Sequence, residues 1–138
     1  MRYLIIVKAS PESEAGLMPE EPLLAAMGVY HDELARAGVL LDASGLRRTA
    51  EGWRVQYDGE DRRRVIDGPF ADSKELIAGY TLIQVRTPEE ALEWSRRYPN
   101  PRGPGKECAI EVRRVFELED FLPGPAIEPS NQIDHARA

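Results

Sequence analysis

The run Asp-Gly-Pro-Phe-Ala-Asp-Ser-Lys-Glu at residues 67–75, followed by Gly-Tyr-Thr-Leu-Ile-Gln-Val at residues 79–85, decides the fold of this chain. Proline fixes φ and glycine lacks a side chain, so the first run predicts a rigid polar turn. The second run is rich in aromatic and β-branched residues, which predicts a central strand. A turn that leads into a central strand is a natural place for a binding site, because functional residues concentrate in loops held by a rigid scaffold.

On the N-terminal side of this run, residue spacing predicts strands, one helix and a hairpin. Leu23, Met27, Tyr30, Leu34 and Ala37 recur at helical spacing, and Gly38 supplies the stop signal. Asp58-Gly59 predicts a tight hairpin turn. The predicted strands are residues 2–8, a segment from Val39 towards Arg47, and the hairpin strands at residues 53–57 and 62–66.

On the C-terminal side, a helix and a final strand are predicted. Thr87-Pro88-Glu89-Glu90 has the pattern of a capping box, so a helix is expected to run to Tyr98. Residues 107–117 read as a strand with two different faces. The predicted buried face holds Cys108, Ile110, Val112 and Phe116, and the wetter face holds Glu107, Ala109, Glu111, Arg113 and Val115.

The order of strand, helix, strand, hairpin, strand, helix and strand predicts an α+β fold. Two βαβ-like halves with an inserted hairpin are typical of a ferredoxin-like sandwich, with both helices on one face of a mainly antiparallel sheet. The other face of such a sheet is bare. Because apolar residues are mixed with Glu111 and Arg113 there, we expect a homodimer that packs sheet against sheet.

Several segments together resemble the YCII-related family, specifically its branch named for the Asp-Gly-Pro-Phe motif (the DGPF domain). The matching segments are residues 1–4, 33–40, 67–75 with Gly79-Tyr80, 90–94 and 110–113. The resemblance implies a dimeric α+β barrel. It leaves the reaction open, since barrels of this kind include monooxygenases, isomerases, and decarboxylating and dehalogenating enzymes. Some similar proteins occur beside sigma factors or in pathways for aromatic or secondary metabolites.

Composition limits the partners and the location. A net charge of -6 and a pI near 5.0 argue against a nucleic-acid surface, which needs a concentrated basic face. The apolar run at residues 3–7 is too short for a signal peptide or a membrane span, so a cytoplasmic protein without a membrane partner is expected. We expect one domain at residues 1–122 and a flexible tail or dimer arm at residues 123–138.

Asp67 and His31 are the candidate catalytic residues. Asp67 either closes an Asx-type turn or acts as a carboxylate at the mouth of a cleft, where burial would suit it to proton transfer. His31 borders the apolar stripe of the first helix and can titrate near neutrality. A related branch carries an acid–base histidine paired with an aspartate. Counting back from Gly38 places the position of that histidine at Met27, so this chain departs from the pattern, and His31 lies one helical turn later.

The candidate ligand-binding residues are Tyr80, Glu111, Arg113, Lys74 and Phe70. Tyr80 can donate its hydroxyl to a ligand oxygen or lie satisfied in the core. Arg113 offers a planar fork to a carboxylate while Glu111 orients it, or the two form an ion pair. Lys74 can contact an anion or remain solvated with Glu75. Phe70 forms either an apolar wall or part of the core.

No metal or cofactor site is expected. His31 and His135 are the only histidines, His135 falls in the predicted tail, and Cys108 is the only cysteine. The leading hypothesis is a homodimer that binds a small aromatic or carboxylated metabolite between its sheets. It includes a cofactor-independent lyase or isomerase in which Asp67 or His31 moves a proton. The alternative is a protein-interaction module associated with transcriptional regulation.

Overall fold

The computed structural model describes residues 1–71 and 74–122. Its strands are β1 Arg2–Lys8, β2 Leu40–Gly45, β3 Trp53–Tyr57, β4 Arg63–Asp67, β5 Ile77–Gln84 and β6 Ile110–Arg114. Its α-helices are α1 Pro11–Glu14, α2 Glu21–Arg36 and α3 Pro88–Arg96, and short 3₁₀ turns occupy Thr49–Glu51 and Leu118–Phe121. The sequence predicted this order, except for α1 and the two 3₁₀ turns.

The main sheet has four antiparallel strands in the order β2-β5-β1-β6, and β3 pairs only with β4 in a separate hairpin. Helices α2 and α3 pack with the sheet in one apolar cluster, which confirms the ferredoxin-like α+β fold. Among the described residues, helices therefore cover one face of the main sheet, and we call the other face, which none of them covers, the open face.

The core lies between the helices and the covered face of the sheet. Because side chains alternate along a strand, Ile5, Thr81 and Ile83 point to this face and are fully buried. Tyr30 and Leu34 come from the predicted stripe of α2. Other core residues are Val39, Val85 and Ala91, with Tyr3, Trp94, Tyr98, Ile110 and Val112 packed around them.

The helix ends follow the predicted signals with one change. Gly38 follows the C-cap residue Ala37 of α2 and has a φ of 75°, a value that a residue with a side chain rarely adopts. Thr87 caps α3, since its hydroxyl oxygen accepts from the Glu90 amide at 3.1 Å. The Glu90 carboxylate does not reach back to Thr87 as predicted, and instead accepts from the Arg86 amide at 3.3 Å.

The final strand is shorter than predicted, and two of its residues were wrongly assigned to the buried face. Pairing with β1 starts at Ile110, opposite Val7, because β1 ends one residue later. Cys108 therefore lies exposed in the preceding loop, where its thiol contacts Asn100 Oδ1 at 2.9 Å. Phe116 lies beyond the strand, is 67% exposed, and packs on Phe121 at a ring-centroid distance of 5.0 Å.

The hairpin strands match the prediction within one residue, but the prediction of a tight turn at Asp58-Gly59 was wrong. The connection runs from Asp58 to Arg62, and the residue with positive φ is Asp61, at 64°. The Asp58 carboxylate accepts from the amides of Glu60 and Arg62, both at 2.9 Å. These bonds lower the pKa of Asp58, so its ionised side chain organises a longer loop.

The predicted tail at residues 123–138, which includes His135, lies outside the described residues, as do Asp72 and Ser73. In the part of the chain that the structure describes, no helix combines the length and apolar character needed to cross a bilayer.

Candidate functional site

The register of the main sheet brings Tyr80, Glu111 and Arg113 onto its open face. Ile6 lies between Tyr80 on β5 and Glu111 on β6. In the next row of this face, Leu4 lies between Leu82 and Arg113. We call Leu4, Ile6, Tyr80, Leu82, Glu111 and Arg113 the open-face set. Strand alternation alone predicted that Glu111 and Arg113 share a face, and the register adds their neighbours.

A charged cluster lies at the β6 side of the open face. Glu111 lies between two cations, 3.3 Å from Lys8 Nζ and 3.3 Å from Arg113 Nη1. Hydrogen bonds from Lys8 and then Arg113, with their positive charges, lower the pKa of Glu111. Glu111 therefore remains ionised in neutral solution and holds Arg113 in place, and the three charges sum to one positive charge.

Arg113 presents most of its guanidinium to solvent. Its side chain is 72% exposed. Nη1 donates to Glu111, and within residues 1–71 and 74–122 no hydrogen-bond acceptor contacts Nε or Nη2. Because a guanidinium has a planar fork of donors, these groups are available to a carboxylate that approaches the apolar residues beside them.

A polar pair lies across the sheet from this charged cluster. The Tyr80 hydroxyl donates to Asp42 Oδ2 at 2.8 Å, and Asp42 is on the edge strand β2, opposite Leu82. The apolar side chains of Leu4, Ile6 and Leu82 lie between this pair and Arg113. The open face thus has an apolar floor with a hydroxyl–carboxylate pair at one side and a guanidinium at the other.

His31 lies on the covered face and is separated from Arg113 by the sheet. Its Nδ1 is 2.8 Å from the Met27 carbonyl oxygen, which can only accept, so Nδ1 carries the proton. Nε2 is 2.8 Å from Thr81 Oγ1, and in the neutral ring it accepts from this hydroxyl. Both ring nitrogens are therefore engaged, and Thr81 is fully buried.

Two tyrosines surround this histidine. Tyr30 and Tyr98 meet the His31 ring edge to face, with centroid distances of 5.5 and 6.1 Å. Burial raises the pKa of both tyrosines, and a contact with Thr81 offsets part of the rise for Tyr98. The Tyr30 hydroxyl donates to the Trp94 carbonyl at 2.7 Å, which ties α2 to α3. This network joins the helices to the sheet.

The Asp-Gly-Pro-Phe run is held against the 3₁₀ turn at residues 49–51. A Cβ atom at Gly68 would lie 1.9 Å from the Thr49 carbonyl oxygen, so only glycine fits there. The Phe70 amide donates to Thr49 Oγ1 at 3.0 Å, and the Thr49 hydroxyl donates to Glu14. The described part of this run thus fixes the base of the hairpin.

Asp67, Phe70 and Lys74 are not members of the open-face set. Asp67 is exposed at the end of β4 opposite Trp53, and its carboxylate accepts no hydrogen bond from residues 1–71 or 74–122. The predicted Asx-type turn is thus absent from the described residues. Phe70 is half-buried, with the Arg54 guanidinium 3.8 Å from its ring centroid. Lys74 lies exposed in the turn before β5.

Four polar residues in these arrangements were not predicted from the sequence: Lys8, Asp42, Thr49 and Glu14. Period-two alternation in β1 puts Lys8 on the same face as Leu4 and Ile6, so its position could have been predicted from the sequence. The roles of Asp42 and Thr49 depend on strand register and on contacts between residues that are distant in sequence, which no local pattern reveals. Among the described residues, no group of three or more acidic, histidine or cysteine side chains is placed to hold a metal ion.

The sequence profile of the YCII-related domain matches residues 1–119, which include the whole main sheet, the hairpin and both long helices. The chain belongs to the YCII-related family. The family match therefore covers every residue of the open-face set as well as His31, Asp67, Phe70 and Lys74. A search of curated proteins found no significant match.

Proposed function

We propose that this YCII-related protein is a homodimer that binds a small carboxylated metabolite with an aromatic or apolar body. The observation that carries the proposal is the exposed Arg113 guanidinium, oriented by Glu111 beside an apolar floor. We also propose that the protein belongs to the branch with the Asp-Gly-Pro-Phe motif and forms a dimeric α+β barrel.

The apolar floor supports pairing of two sheets. Leu4, Ile6 and Leu82 are half-buried on a face that no helix within residues 1–71 and 74–122 covers. Contiguous apolar residues with a polar border are typical of an interaction surface or a ligand site. A second copy packed on this face about a two-fold axis would exclude water from the floor and enclose a cleft.

The charges support recognition of an anion. Lys8, Glu111 and Arg113 together carry one positive charge, which a monocarboxylate would neutralise. The carboxylate would accept from the free edge of Arg113, and the apolar body of the ligand would cover Leu4 and Leu82. Tyr80 with Asp42 would meet a hydroxyl or carbonyl group at the far end of the ligand.

A stronger form of this proposal is that the protein also acts on the bound metabolite, as a cofactor-independent lyase or isomerase in which Asp67 or His31 carries the proton. Binding has more support than catalysis, because His31 has both ring nitrogens engaged and lies across the sheet from Arg113. Turnover of a bound carboxylate that is lost in Asp67→Asn, with affinity retained, would establish the enzyme.

Calorimetric titration with benzoate and phenylacetate tests the ligand site, and phenethylamine serves as the cationic counterpart. We expect binding of the carboxylates and not of the amine, and a loss of at least about tenfold in Arg113→Gln, since a charge-assisted bond contributes about 1.5–3 kcal/mol. Arg114→Gln is the matched control, because the neighbouring arginine points to the other face of β6. Equal losses in both variants, or no binding of any carboxylate, would refute the site.

Sedimentation equilibrium at micromolar concentration tests the dimer. We expect twice the chain mass for the native protein and a lower mass for Leu82→Glu, which places a charge in the apolar floor. A monomeric native protein would refute sheet-to-sheet pairing. If the open face binds no small molecule and instead captures a transcription-related protein, the interaction module that the sequence left as the alternative replaces the proposal.

A further inference from the structure

We propose that the β3–β4 hairpin is a second self-association surface, on which two copies stack their hairpins antiparallel with Arg63 of each copy on Asp67 of the other. The hairpin is a different part of the molecule from the open-face set, and its pairing does not depend on the proposed ligand. The partner is a second copy of this chain.

The surface is one face of the two-stranded hairpin. The register pairs Trp53 with Asp67, Val55 with Val65 and Tyr57 with Arg63, so these six residues share a face. Its four apolar members are all exposed, Trp53 at 66%, Val55 at 41%, Tyr57 at 59% and Val65 at 63%. We call these six residues the hairpin face. Exposed aromatic residues beside an arginine are typical of interaction surfaces.

The reverse face of the hairpin has a different character, because its cationic side chains have partners within the chain. Arg54 covers the Phe70 ring at 3.8 Å, and Arg64 donates to Gln56 Oε1 at 3.4 Å. The hairpin base is anchored through the Gly68 amide, which donates to the Gly52 carbonyl at 3.0 Å. The hairpin thus presents its apolar side from a fixed base.

Charge identifies the partner and its orientation. Arg63 lies at the tip end of the hairpin face, 4.9 Å over the Tyr57 ring, and Asp67 lies at the base end opposite Trp53. Neither forms an ion pair with another residue of the described ranges. In a face-to-face stack, a two-fold axis that lies in the contact plane and runs perpendicular to the strands brings the tip of one hairpin over the base of the other. Each arginine then meets an aspartate of the second copy.

The same axis matches the remaining residues of the hairpin face. Tyr57 would face Trp53 of the second copy, and Val55 and Val65 would each face their own counterparts. The alternative axis, along the strands, would set Arg63 opposite Tyr57 and Asp67 opposite Trp53 of the second copy, with both arginines at one end of the contact and both aspartates at the other. Like charges disfavour that arrangement, so the hairpin face specifies the antiparallel one.

The size of the surface sets the expected strength. Arg63 and Asp67 are four residues apart, about 13 Å along a strand. The exposed parts of the two aromatic side chains amount to roughly 250 Å² per copy, against about 800 Å² per partner in a stable interface. The hairpin contact is therefore weak, and we expect to detect it at high protein concentration.

Charge reversal tests the pairing. Arg63→Asp and Asp67→Arg should each weaken hairpin association, because each sets like charges against one another, and the double reversal should restore it. Association is measured by cross-linking, in a Cys108→Ser background, through Val65→Cys with a short thiol-specific reagent. We expect covalent dimers in that protein, several-fold fewer with either single reversal, and recovery with both. Circular dichroism verifies that each variant is folded.

Two controls decide between arrangements. Gln56→Cys on the reverse face of the hairpin should not cross-link, and Leu82→Glu should leave the Val65→Cys cross-link in place while it disrupts the sheet contact. Absence of the Val65→Cys cross-link, or a double reversal as weak as the single ones, overturns the proposal. A cross-link lost with Leu82→Glu would show that the hairpins meet only through the sheet dimer, which also overturns an independent contact.

Discussion

The two faces of the main sheet are built from the same strands and differ in almost every physical respect. Ile5 and Ile83 point to the helices and are fully buried, whereas their chain neighbours Ile6 and Leu82 point to the open face and are half-buried. The polar residue Thr81 on the covered face bonds to His31, and on the open face Tyr80 bonds to a solvent-exposed carboxylate.

This difference shows how one strand can serve stability and recognition at once. Alternation sends every second residue to each face, so a substitution and its neighbour test different properties. The covered face makes the larger contribution to the free energy of unfolding, since it holds most of the buried apolar side chains and their burial is the main favourable term in folding. The open face carries the uncompensated charge and the apolar floor, which a monomer leaves in contact with water.

The largest difference between the faces should be seen in stability. Ile83→Ala is expected to lower the free energy of unfolding by about 3 kcal/mol, because it leaves a cavity in a fully packed site. Leu82→Ala should cost less, about 1.5 kcal/mol, because its side chain is only partly buried. Urea unfolding at low protein concentration measures both. Equal losses would remove the contrast, and a loss at Leu82 that grows with concentration would reveal a dimer.

A smaller effect is expected from the polar network of the covered face. Thr81→Val retains the shape of the side chain and removes the hydroxyl that bonds to His31 Nε2, which leaves a ring nitrogen without its partner. The expected loss is about 2 kcal/mol, the cost of an unsatisfied buried group. Thr81→Ser, which retains the hydroxyl, is the control. If the valine variant is as stable as the native protein, the hydrogen bond contributes nothing.

The smallest predicted effect concerns the charge of Glu111. Lys8 and Arg113 lower its pKa, so its contribution to stability is present above the ordinary glutamate pKa of about 4.3 and is lost as the pH falls through the folded value. Lys8→Met should raise the pKa of Glu111 towards the ordinary value, since the Lys8 bond is the larger cause. Carbon-detected NMR titration of the carboxyl group measures this, and an unchanged pKa would contradict the arrangement.

Much of the fold follows from local patterns. The stripe on α2, Gly38, Thr87 and the alternation in β5 and β6 identify the elements and the faces, because each signal acts within a few residues. The same alternation predicts that Glu111 and Arg113 share one face of β6 and that Tyr80 shares a face of β5 with Leu82.

The remaining features depend on contacts between distant residues. Pairing of β1 with β5 and β6 sets Lys8 beside Glu111, and pairing of β2 with β5 brings Asp42 within reach of Tyr80. Cys108 and Phe116 were misassigned because strand length is set by the partner strand β1 rather than by their own sequence. The hydrogen bond from the Phe70 amide to Thr49 Oγ1 likewise joins segments about twenty residues apart.

The most direct test of the account is methyl NMR of isoleucine side chains during titration with phenylacetate. Ile5 and Ile6 are adjacent in sequence and lie on opposite faces of the main sheet. We predict that the Ile6 methyl signals shift in a saturable manner while those of Ile5 and Ile83 do not, and that Arg113→Gln abolishes the shift. Shifts confined to Ile5 and Ile83, or no shift in any of the three, would contradict a carboxylate site on the open face.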